Sequence, residues 1–568
     1  MYNDDVAEIF YELSEMEEIE GKKWESLAYR KIANNISALG EDIREVYKRG
    51  ELRKIDGVGP AIEKKIIQYI EQGKIDLYER LREKYPVDFK QMRRIQGLGP
   101  KKISLLYTKL GIKNVDDLKK AIDLHRVADL TGFGRKSEER LQKSLSVFLS
   151  SGPSRIPLAT AYRDIMAMLE YLIKSDSFGK IEVAGSIRRM KETIGDVDII
   201  SATSDREKAG DFFVNSDFVS GIVVKGESKI TVNLKIGITC DLRFTNKESY
   251  GACLQYFTGS KDHNVHLRDL ALTKGMKLNE YGLFKGDMKI AGETEESVYK
   301  ALGLEYIEPE LRENTGEIEA SLSGHLPKLV QYSDVKGDLH VHSSDSDGMN
   351  TVEEMLRAAE KNELEYIALT NHSENLKVAN GLDEKRFADL NEKIDALSSK
   401  STVKILKGVE LEILKDGSLD LSQSTLDNMD FVLASLHQHV SSSREENTLR
   451  IINAIRSGKI NAIAHPTGRI IGSREPYSID LDSVVRECVD NNVMLEINGS
   501  PERSDLPFDL VKRFRDSGIM FSLGSDAHNT SDLFNLRFAT AIARRGWLDR
   551  GKIANTLSLK ELLKVLKR

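Results

Sequence analysis

The chain has 568 residues with a formal net charge of -7, and 40% of its residues are hydrophobic and 30% charged. This length exceeds the roughly 100 to 200 residues of one domain, and the ordinary composition excludes long disordered or fibrous stretches, so we expect several packed domains. The acidic start, MYNDDVAEIF, and the lack of an uncharged apolar run near the roughly 20 residues that span a bilayer disfavour a secretory signal and a membrane partner.

The three cysteines lie far apart with no CxxC spacing, so neither a disulfide framework nor a thiolate zinc site is indicated, and a reducing cytoplasm fits best. The net charge does not exclude nucleic acid, because a polyanion meets one face of a protein and not its average. Residues 1–20 hold eight acidic and no basic side chains, residues 21–150 hold 29 basic against 18 acidic, and residues 151–568 hold 54 against 64. The regional balances are therefore -8, +11 and -10, and the second region is the candidate to bind a polyanion.

Short amphipathic patterns broken by glycine pairs run from Val6 to about Ser150 and predict an all-α region. A GxG turn opens a helix in ELRKIDGVGPAIEKKIIQYI, recurs 40 residues later in QMRRIQGLGPKKISLLYTKL, and returns more loosely in DLTGFGRKSEERL. One such turn is most often a plain helix connection. Three copies in a basic region resemble helix-hairpin-helix modules, whose backbone N–H groups and flanking cations hold DNA phosphates without reading bases. The candidate DNA contacts are Gly57, Gly59, Lys64, Lys65, Gly97, Gly99, Lys101 and Lys102.

Closely spaced β-type runs follow from about residue 181 and predict a mixed sheet domain. In VAGSIRRMKETIGDVDII, Asp196 and Asp198 are two residues apart, so on a strand their side chains project from one face. Asp241 in GITCDLRF lies on a later strand with similar apolar flanks. A DxD pair alone is common by chance, but three carboxylates without an imidazole suit Mg²⁺, and two such ions would activate a hydroxyl and stabilise a leaving pyrophosphate.

The turn GSIRR, just before this pair, offers Ser186, Arg188 and Arg189 as donors suited to triphosphate oxygens. The order GSIRR, GDVD, CDLRF and YFTGSKDHN resembles the catalytic core of family X DNA polymerases, the short-gap repair enzymes that include polymerase beta, over residues 1 to about 315. The resemblance implies a nucleotidyltransferase palm with a thumb, in which the three carboxylates bind metal. It also implies nucleotide contacts at Gly185, Ser186, Arg189, Gly195 and Gly259, at Tyr256 and Phe257 against the sugar, and at Asn264 and Arg268 in the minor groove.

Two positions depart from the family pattern. His263 stands where eukaryotic relatives usually carry an aromatic residue. In the first glycine turn, Lys65 aligns with the nucleophile of a 5'-deoxyribose phosphate lyase, but the supporting lysine four residues earlier is Ala61. Adjacent lysines such as Lys64 and Lys65 usually form a solvated helix face, although a lysine beside another cation can have a lowered pKa and form an imine, so both interpretations stay open.

Residues 308–332 are polar, hold two prolines and show weak periodicity, which suits a linker with some helical content and predicts a boundary near Ser333. Beyond it, apolar runs such as YIALT, FVLASLH, NAIAHP and VMLEIN alternate with helical stretches, the signature of repeated βα units. Most of these runs end in His, Glu or Asp, and a barrel would gather the ends at one mouth. The predicted metal ligands are His340, His342, Asp347, His372, Glu410, His437, His465, Asp526 and His528.

This mixed nitrogen and oxygen set favours Zn²⁺, Mn²⁺ or Fe²⁺ over Mg²⁺, and nine ligands suffice for two or three ions acting on a phosphoester. A single buried histidine is more often a hydrogen-bonded core residue than a ligand, but six conforming segments argue against that interpretation. The set resembles the PHP phosphoesterase domain of histidinol phosphatases, of bacterial replicative polymerases and of bacterial and archaeal family X polymerases. The resemblance implies a distorted α/β barrel of the (βα)7 type.

Three positions in this part leave choices open. TNHS stands where the PHP family usually has TDHS, so Asn371 replaces an acid that would orient or support the next histidine. In SLHQHV, His437 is the expected ligand and His439 a candidate substrate contact. Asp345 rivals Asp347 as a ligand, although the SDG setting favours Asp347.

The sequence therefore predicts a multidomain chain. Its parts are a helix-hairpin-helix domain of the 8-kDa type over residues 1–85, helix-hairpin-helix fingers over 86–150, an α+β palm over 151–257, a thumb over 258–315, a linker over 316–332 and a PHP domain over 333–568.

The expected activity is a DNA-directed DNA polymerase that fills short gaps in repair, using Mg²⁺ and dNTPs on gapped or nicked DNA. By resemblance, the PHP domain adds a 3'-5' exonuclease with two or three Mn²⁺ or Zn²⁺ ions, and AP endonuclease and 3'-phosphodiesterase action at the same site. We expect a cytoplasmic monomer. The alternatives are a metal-dependent phosphoesterase whose N-terminal half only binds DNA, which the intact triad and GSIRR argue against, and a DNA-binding scaffold without chemistry.

Overall fold

A computed structural model describes residues 2–37, 43–92, 95, 98–130, 133–150, 155–398 and 400–567. The chain divides into two compact units, one formed mainly by Met1–Pro153 and the other mainly by the chain from Ser154 onward. Among the described residues, no helix combines the length and the apolar character needed to cross a bilayer.

The first unit is helical, as its amphipathic patterns predict. Its described residues form nine α-helices around one apolar core. These are α1 (Tyr2–Ile19), α2 (Lys23–Ser37), α3 (Ile43–Lys48), α4 (Pro60–Gln72), α5 (Asp76–Lys84), α6 (Phe89–Met92), α7 (Pro100–Leu110), α8 (Val115–Asp123) and α9 (Arg135–Ser150). The two clearest glycine turns have the same geometry: Gly59 and Gly99 are extended N-cap residues before a proline, and α4 and α7 both end at left-handed glycines, Gly73 and Gly111.

A five-stranded sheet forms the predicted palm. The strands of this region are β1 (Ile156–Pro157), β2 (Lys180–Val183), β3 (Thr193–Ile194), β4 (Asp196–Ala202), β5 (Val219–Lys225), β6 (Lys229–Leu234) and β7 (Thr239–Thr245). Its helices are α10 (Leu158–Ile173), α11 (Gly185–Arg188) and α12 (Arg206–Val214). The sheet order is β2-β4-β7-β6-β5, with β4 and β7 parallel and the other neighbours antiparallel, while β1 pairs with β3. The mixed sheet expected from the short β-type runs is therefore present.

A small mixed domain over residues 250–322 follows directly and contains the predicted thumb, residues 258–315. It holds α13 (Tyr250–Thr258), α14 (Lys261–Thr273), the antiparallel strands β8 (Lys277–Asn279), β9 (Gly282–Lys285) and β10 (Met288–Ala291), then α15 (Glu295–Ala301) and α16 (Glu317–Leu322). The segment predicted as a linker contains α16, and its Ile318 and Leu329 are buried in the thumb core. This segment is thus packed against the thumb along much of its length.

The C-terminal part is a nearly closed barrel of seven parallel strands, each neighbouring the next in sequence. The strands are β11 (Gly337–Val341), β12 (Tyr366–Leu369), β13 (Lys404–Glu412), β14 (Phe431–Ser435), β15 (Ala462–Ile463), β16 (Met494–Asn498) and β17 (Phe521–Gly524). The helices are α17 (Val352–Lys361), α18 (Glu384–Ser398), α19 (Gln423–Leu426), α20 (Arg444–Arg456), α21 (Leu481–Asp490), α22 (Phe508–Phe514), α23 (Leu536–Arg545) and α24 (Leu559–Val565). A parallel bridge between Val341 and Ala527 joins the first strand to the segment just after the last. The predicted (βα)7 barrel is confirmed.

The barrel packs against both the palm and the thumb within the second unit. Phe538 and Ala541 of α23 lie in the palm core, where the Phe538 and Tyr162 ring centroids are 5.5 Å apart. Trp547 lies in the thumb core. An ion pair of 2.8 Å between Arg469 and Glu192 adds a polar contact between barrel and palm. Apolar cores shared in this way make the palm, thumb and barrel one body.

Candidate functional site

Three carboxylates come together on one face of the palm sheet. Asp196 and Asp198 on β4 face away from the core, which takes the alternate residues Val197 and Ile199. In the parallel pairing of β4 with β7, Asp241 stands directly beside Asp198. The two-residue spacing and the later strand thus form one acidic site, as the sequence predicts.

The charges around these carboxylates differ from one to the next. Burial, followed by the charge of Asp196, raises the pKa of Asp198 to about 6. Asp241 Oδ2 instead lies 2.6 Å from Lys229 Nζ and 3.2 Å from Arg243 Nη2. Three carboxylates on one face of the sheet form an oxygen donor set for a hard divalent cation, so these residues fit Mg²⁺.

Gly185 begins the one-turn helix α11 directly beside this acidic site. Its φ of 62° lies in the left-handed region, and a Cβ there would be 2.7 Å from Asp198 Oδ2. Ser186 follows in the same turn and is half-buried, and Gly195 immediately precedes Asp196 at the start of β4. Only glycine allows the backbone of the turn to approach the carboxylates this closely.

The two arginines of GSIRR have different partners. Arg188 uses all three guanidinium nitrogens on protein acceptors, with Nη2 2.6 Å from Glu295. Arg189 donates Nε to Glu313 at 3.0 Å and Nη1 to the carbonyl oxygen of Thr258, and its Nη2 has no hydrogen-bond partner within the described residues. Arg189 therefore keeps one guanidinium nitrogen that no described residue engages, whereas all three of those of Arg188 are engaged within the protein.

The segment YFTGSKDHN reaches the same site from the thumb side. Arg243 donates to Asp241 and lies over the Phe257 ring, 4.2 Å from its centroid. Gly259 lies against Arg189, since a Cβ at this glycine would be 3.2 Å from Arg189 Nη1. The carboxylates, the glycine turn and this segment are therefore brought together.

The remaining predicted nucleotide contacts lie along α13 and α14. The ring of Tyr256 is 5.1 Å from that of Phe257, and Asn264 Nδ2 donates to the Tyr256 carbonyl oxygen at 2.6 Å. Arg268 is exposed four residues after Asn264, on the same face of α14. His263 is instead fully buried. Its two ring nitrogens bond to a glutamate carboxylate and a tyrosine hydroxyl inside the domain, so its role is structural.

The first glycine turn presents its lysines unequally. Lys64 is exposed, whereas Lys65 is half-buried, with Nζ 5.6 Å from the Tyr29 ring centroid and bonded to the Ala61 carbonyl oxygen at 3.2 Å. Burial lowers the pKa of Lys65. A half-buried lysine with a lowered pKa keeps the nucleophile interpretation open without the second lysine.

The second glycine turn repeats this arrangement. Lys101 is exposed, and Lys102 lies over the Phe133 ring, 5.5 Å from its centroid. In the first turn Gly57 has a φ of 80°, which a side chain would rarely adopt. Gly97, the matching glycine of the second turn, lies outside the described residues.

The barrel gathers its predicted ligands at the C-terminal ends of its strands. Glu410 lies at the centre, with carboxylate oxygens 3.2 Å from His340, 3.1 Å from His372, 3.3 Å from His437 and 2.9 Å from His465. All nine predicted ligands belong to this cluster. The cluster contains three groups of residues, and within each group the donor atoms all lie within 4.8 Å of one another. The groups are His342, Asp347, His372 and His528; His340, His342 and Asp526; and His372, Glu410 and His437.

Burial and the neighbouring charges shift the pKa values of the cluster histidines in both directions. Burial lowers the pKa of His342 to about 3 and that of His465 to about 4, so both imidazoles are neutral. Burial opposes charge on Glu410 too, but the surrounding histidines hold the pKa of this carboxyl well below its usual range. The buried Nδ1 atoms of His342 and His465 have no hydrogen-bond partner in the described part of the chain. The neighbouring carboxylates outweigh burial at other positions and raise the pKa of His437 and His528 to about 9 and that of His340 well above its usual range. The donor set itself, imidazoles beside carboxylates, fits divalent ions with mixed nitrogen and oxygen coordination.

Two glutamates that the sequence analysis did not select hold these ligands in place. Glu496 on β16 lies 2.5 Å from His340 Nδ1 and accepts from the His465 backbone N–H at 2.6 Å. Glu412 lies 3.1 Å from His437 Nδ1. Partners of this kind fix the ring orientation of a ligand. Glu496 lies in the run VMLEIN, and the other barrel runs end in predicted ligands, so this pattern indicated Glu496 as well.

Arg503 is a further residue that no sequence pattern indicated. Its Nε lies 3.3 Å from Asp526 Oδ2, and its buried Nη1 has no hydrogen-bond partner among the described residues. A guanidinium at the edge of a cluster of predicted metal ligands is suited to bind a phosphate oxygen.

Asn371, which stands where the PHP family usually has an acid, bonds to the loop after β11. Its Oδ1 accepts from Ser343 N at 2.8 Å and from Ser346 Oγ at 2.9 Å, and its Nδ2 donates to Ser343 Oγ at 2.9 Å. No hydrogen bond of its side chain to His372 occurs in the described structure. Asn371 thus holds the loop that carries Asp347, and it does not supply the support for His372 that is expected of the acid it replaces.

The two open ligand choices have structural answers. Asp347 Oδ2 lies 3.4 Å from His372 and 3.5 Å from His528, whereas Asp345 accepts from a serine hydroxyl of its own loop. His437 lies within the cluster, and His439 is exposed two residues further on. Asp347 and His437 are therefore the residues placed among the other predicted ligands.

Family models match four segments of the chain. They describe a helix-hairpin-helix domain over residues 1–75, a SAM-like helix-hairpin-helix tandem over residues 89–146, a DNA polymerase beta thumb over residues 253–313 and a PHP domain over residues 338–500.

Relatives match the chain both as a whole and in part. The chain is 34% identical over 575 aligned residues to the DNA polymerase/3'-5' exonuclease PolX of Bacillus subtilis (strain 168), with 100% of both chains covered. It is 32% identical over 247 residues to a probable phosphatase of Thermoanaerobacter sp. (strain X514), with 41% of this chain and 95% of the relative covered. A probable phosphatase of Photobacterium profundum is 30% identical over 218 residues, with 37% of this chain and 84% of the relative covered.

A carboxylate-bearing palm with a polymerase beta type thumb, joined to a histidine-rich PHP barrel, defines a class of two-site enzymes that act on phosphate esters. The full-length similarity narrows this class further. The chain belongs to the PolX family, the family X DNA polymerases that carry a C-terminal PHP domain.

Proposed function

We propose that the chain fills short DNA gaps by transferring nucleotides from dNTPs to a primer 3'-OH, and removes nucleotides from 3' ends in its PHP domain. One observation carries the proposal: the chain contains two separate donor sets, three carboxylates beside a glycine turn and nine His, Asp and Glu side chains at a barrel mouth. The name of the B. subtilis relative, DNA polymerase/3'-5' exonuclease, supports both activities.

In the palm, we assign metal binding to Asp196, Asp198 and Asp241. Two Mg²⁺ ions held there would activate the 3'-OH and neutralise the leaving pyrophosphate. The backbone amides of the α11 turn and the uncommitted Nη2 of Arg189 would bind the triphosphate. The aromatic pair that ends α13 would lie against the sugar, with Asn264 and Arg268 toward the minor groove.

In the barrel, we assign metal binding to the nine clustered ligands and phosphate binding to Arg503. Two or three Mn²⁺ or Zn²⁺ ions would supply charge neutralisation and water activation at the phosphoester. Abasic sites and blocked 3' ends present the same phosphoester chemistry, so AP endonuclease and 3'-phosphodiesterase action belong to the same proposal. A 3' end cleaned in the barrel could then be extended in the palm.

The helical unit would hold the DNA. Its glycine turns precede helices, and Lys64 and Lys101 are exposed beside them, which suits contact with backbone phosphates of gapped or nicked DNA. The biological setting proposed is base excision or end repair. A monomer suffices, because each chain carries both donor sets, and the cytoplasm holds both substrates.

One gel assay tests the two-site proposal. A 5'-labelled primer in a short gap is incubated with Mg²⁺ or Mn²⁺, with and without dNTPs, using the wild type, Asp198→Asn and His342→Ala. We expect Asp198→Asn to stop extension and to spare 3' degradation, and His342→Ala to do the reverse. A wild type that never extends the primer overturns the polymerase assignment, and loss of both activities in either variant overturns the separation of the sites.

The barrel offers a matched pair of variants for the nuclease site. Asp347 faces the cluster, whereas Asp345, two residues earlier in the same loop, does not. We expect Asp347→Asn to remove 3' degradation and Asp345→Asn to keep it. Equal losses would mean that the loop matters and the Asp347 carboxylate does not.

The phosphatase relatives support a second candidate, a phosphoesterase of small monoesters whose N-terminal half only binds DNA. The two candidates separate on substrate. Faster turnover of a small phosphate monoester than of a DNA 3' end, without any primer extension by the wild type, would favour the second.

A further inference from the structure

Glu313, at the end of the thumb, is a carboxylate shared by three cations. Its Oε1 lies 3.0 Å from Arg189 Nε and 3.2 Å from Arg545 Nη1, and its Oε2 lies 3.6 Å from Lys191 Nζ. Arg189 and Lys191 belong to the palm, and Arg545 is the last residue of the barrel helix α23. Palm, thumb and barrel therefore meet at one partly buried carboxylate.

Arg545 contacts Arg189 directly as well as through Glu313. Its Nη1 donates to the backbone carbonyl oxygen of Arg189 at 2.5 Å, and its guanidinium lies over the Phe508 ring at 4.3 Å. The Arg545 side chain is only 1% exposed, so this geometry is fixed on all sides. Arg545 thus holds both the backbone of Arg189 and the carboxylate that binds its guanidinium.

The result is a defined orientation for the Arg189 guanidinium. Two of its nitrogens are committed, Nε to Glu313 and Nη1 to the Thr258 carbonyl oxygen, and Nη2 is the nitrogen left for a ligand. A guanidinium is planar, so fixing two nitrogens fixes the direction in which the third points.

We propose that Arg545 of the PHP barrel is a positioning residue for the polymerase reaction, which sets Arg189 for the incoming triphosphate through Glu313 and the Arg189 carbonyl. This inference rests on the proposed function, in which Arg189 binds the triphosphate.

The charge balance gives the reason for an effect on nucleotide binding. With Arg545 in place, Glu313 divides its charge among three cations, and Arg189 remains able to attract phosphate oxygens. Without Arg545, Glu313 has one cation fewer and binds Arg189 more strongly, so it competes with the triphosphate. The Arg189 backbone also loses its fixed donor. Both changes weaken dNTP binding and leave the carboxylates untouched.

The neighbouring residue Arg544 provides a matched control. It is buried in the same helix and bridges the same two domains, with Nε 2.7 Å from Glu310 and Nη1 bonded to the Val330 carbonyl oxygen at 2.8 Å. It makes neither of the Arg545 contacts with Arg189 and Glu313. A general loosening of the barrel against the thumb should therefore follow equally from either arginine, whereas positioning of Arg189 should follow from Arg545 alone.

The test measures single-nucleotide gap filling by the full chain as a function of dNTP concentration. We compare the wild type with Arg545→Gln, Arg545→Lys and Arg544→Gln, and take Arg189→Gln as the upper limit of the effect. Thermal unfolding and 3' degradation are measured for every variant. Arg545→Gln should raise KM for dNTP about tenfold and change kcat less than about twofold, since the lost interaction serves binding in ground and transition state alike. Arg545→Lys, which can reach only one of the two acceptors, should raise KM about threefold.

Arg544→Gln should change KM less than about twofold, and 3' degradation should be the same in all Arg545 and Arg544 variants. An unchanged KM in Arg545→Gln, equal shifts in Arg545→Gln and Arg544→Gln, or a joint fall of kcat and 3' degradation would overturn the inference. If Arg545→Gln does not fold, Arg545→Lys decides, and an unchanged KM there overturns it. A wild type that does not extend primers would instead remove the proposed function itself.

Discussion

Replacing Glu295 with glutamine should destabilise the thumb, because this carboxylate is shared by two buried guanidiniums. Glu295 Oε2 lies 2.6 Å from Arg188 Nη2, and its Oε1 lies 2.5 Å from Arg312 Nη1. Glu295 is 4% exposed and Arg312 is fully buried. Glutamine keeps the size of the side chain but leaves the Arg312 guanidinium buried without an anion, and Arg188 keeps only Glu182 as an anionic partner.

The size of the effect follows from the pKa of Glu295. Burial alone would raise it, but the guanidiniums of Arg312 and Arg188 lower it from 4.5 to about 2. At about 1.4 kcal/mol per pH unit, this difference corresponds to about 3 kcal/mol of stability at neutral pH. Removal of one partner from a buried ion pair costs a similar amount, about 3 to 5 kcal/mol.

The sign of the pH dependence is also fixed. The pKa of Glu295 is lower in the folded protein than in the unfolded chain, so the stabilisation is fully present above pH 4.5 and is lost as the pH falls toward about 2. The difference in stability between the wild type and Glu295→Gln should therefore narrow over this interval.

Tryptophan fluorescence during urea unfolding can measure this change. The chain has two tryptophans, and Trp547 is buried in the thumb core whereas Trp24 is 84% exposed. In a Trp24→Phe background, the emission reports Trp547 alone. Glu296, exposed at the next position of α15, gives the control Glu296→Gln, with an expected change within about 0.5 kcal/mol. Equal losses from Glu295→Gln and Glu296→Gln, or a difference that stays constant between pH 4.5 and about 3, would refute the reasoning.

Three further predictions concern the two sites and the DNA-binding unit. Gly185→Ala should reduce primer extension about a hundredfold while 3' degradation continues, because a Cβ would lie 2.7 Å from Asp198 Oδ2 and displace the turn. Glu412→Gln should reduce 3' degradation about 10- to 100-fold and lower the metal content measured by mass spectrometry, since Glu412 orients His437. Lys65→Ala should lower the slope of log K against log salt for DNA binding by about 1, because one contact with a backbone phosphate is lost.

Each of these three has a result that contradicts it. Normal extension by Gly185→Ala would mean that the turn tolerates a side chain beside the carboxylates. Full metal content with unchanged 3' degradation in Glu412→Gln would remove the orienting role. A salt slope equal to that of the wild type would place Lys65 away from the DNA backbone.

Much of the acidic site could be predicted because local patterns encode it. The alternation of Asp196 and Asp198 with apolar residues sets one face of a strand, and the similar flanks of Asp241 indicate a second strand in the same sheet. The barrel site was predictable for a related reason. Each parallel strand ends at the same mouth, so ligands at strand ends must converge there. Glu496 also lies on a barrel strand near this mouth, so its place beside the ligands was predictable in the same way.

The partners of Arg188 and Arg189 could not be predicted in this way. These residues are adjacent and chemically identical, and GSIRR gives no reason to separate them. The structure separates them through Glu295 and Glu313, which lie 107 and 124 residues further along the chain. Contacts of such sequence separation depend on how the thumb folds back on the palm, which no local pattern contains.

The same long-range packing joins the barrel to the palm and the thumb. The thumb segment that carries Glu310 and Glu313 lies between the palm and α23, and the barrel supplies Arg544 and Arg545 to these two carboxylates. Phe538 and Ala541 of α23 meanwhile complete the palm core. A fragment that ends near residue 332 would expose that apolar surface, leave Glu310 without the Arg544 cation and leave Glu313 with one cation fewer. Its dNTP kinetics would therefore describe a different Arg189 environment from that of the full chain.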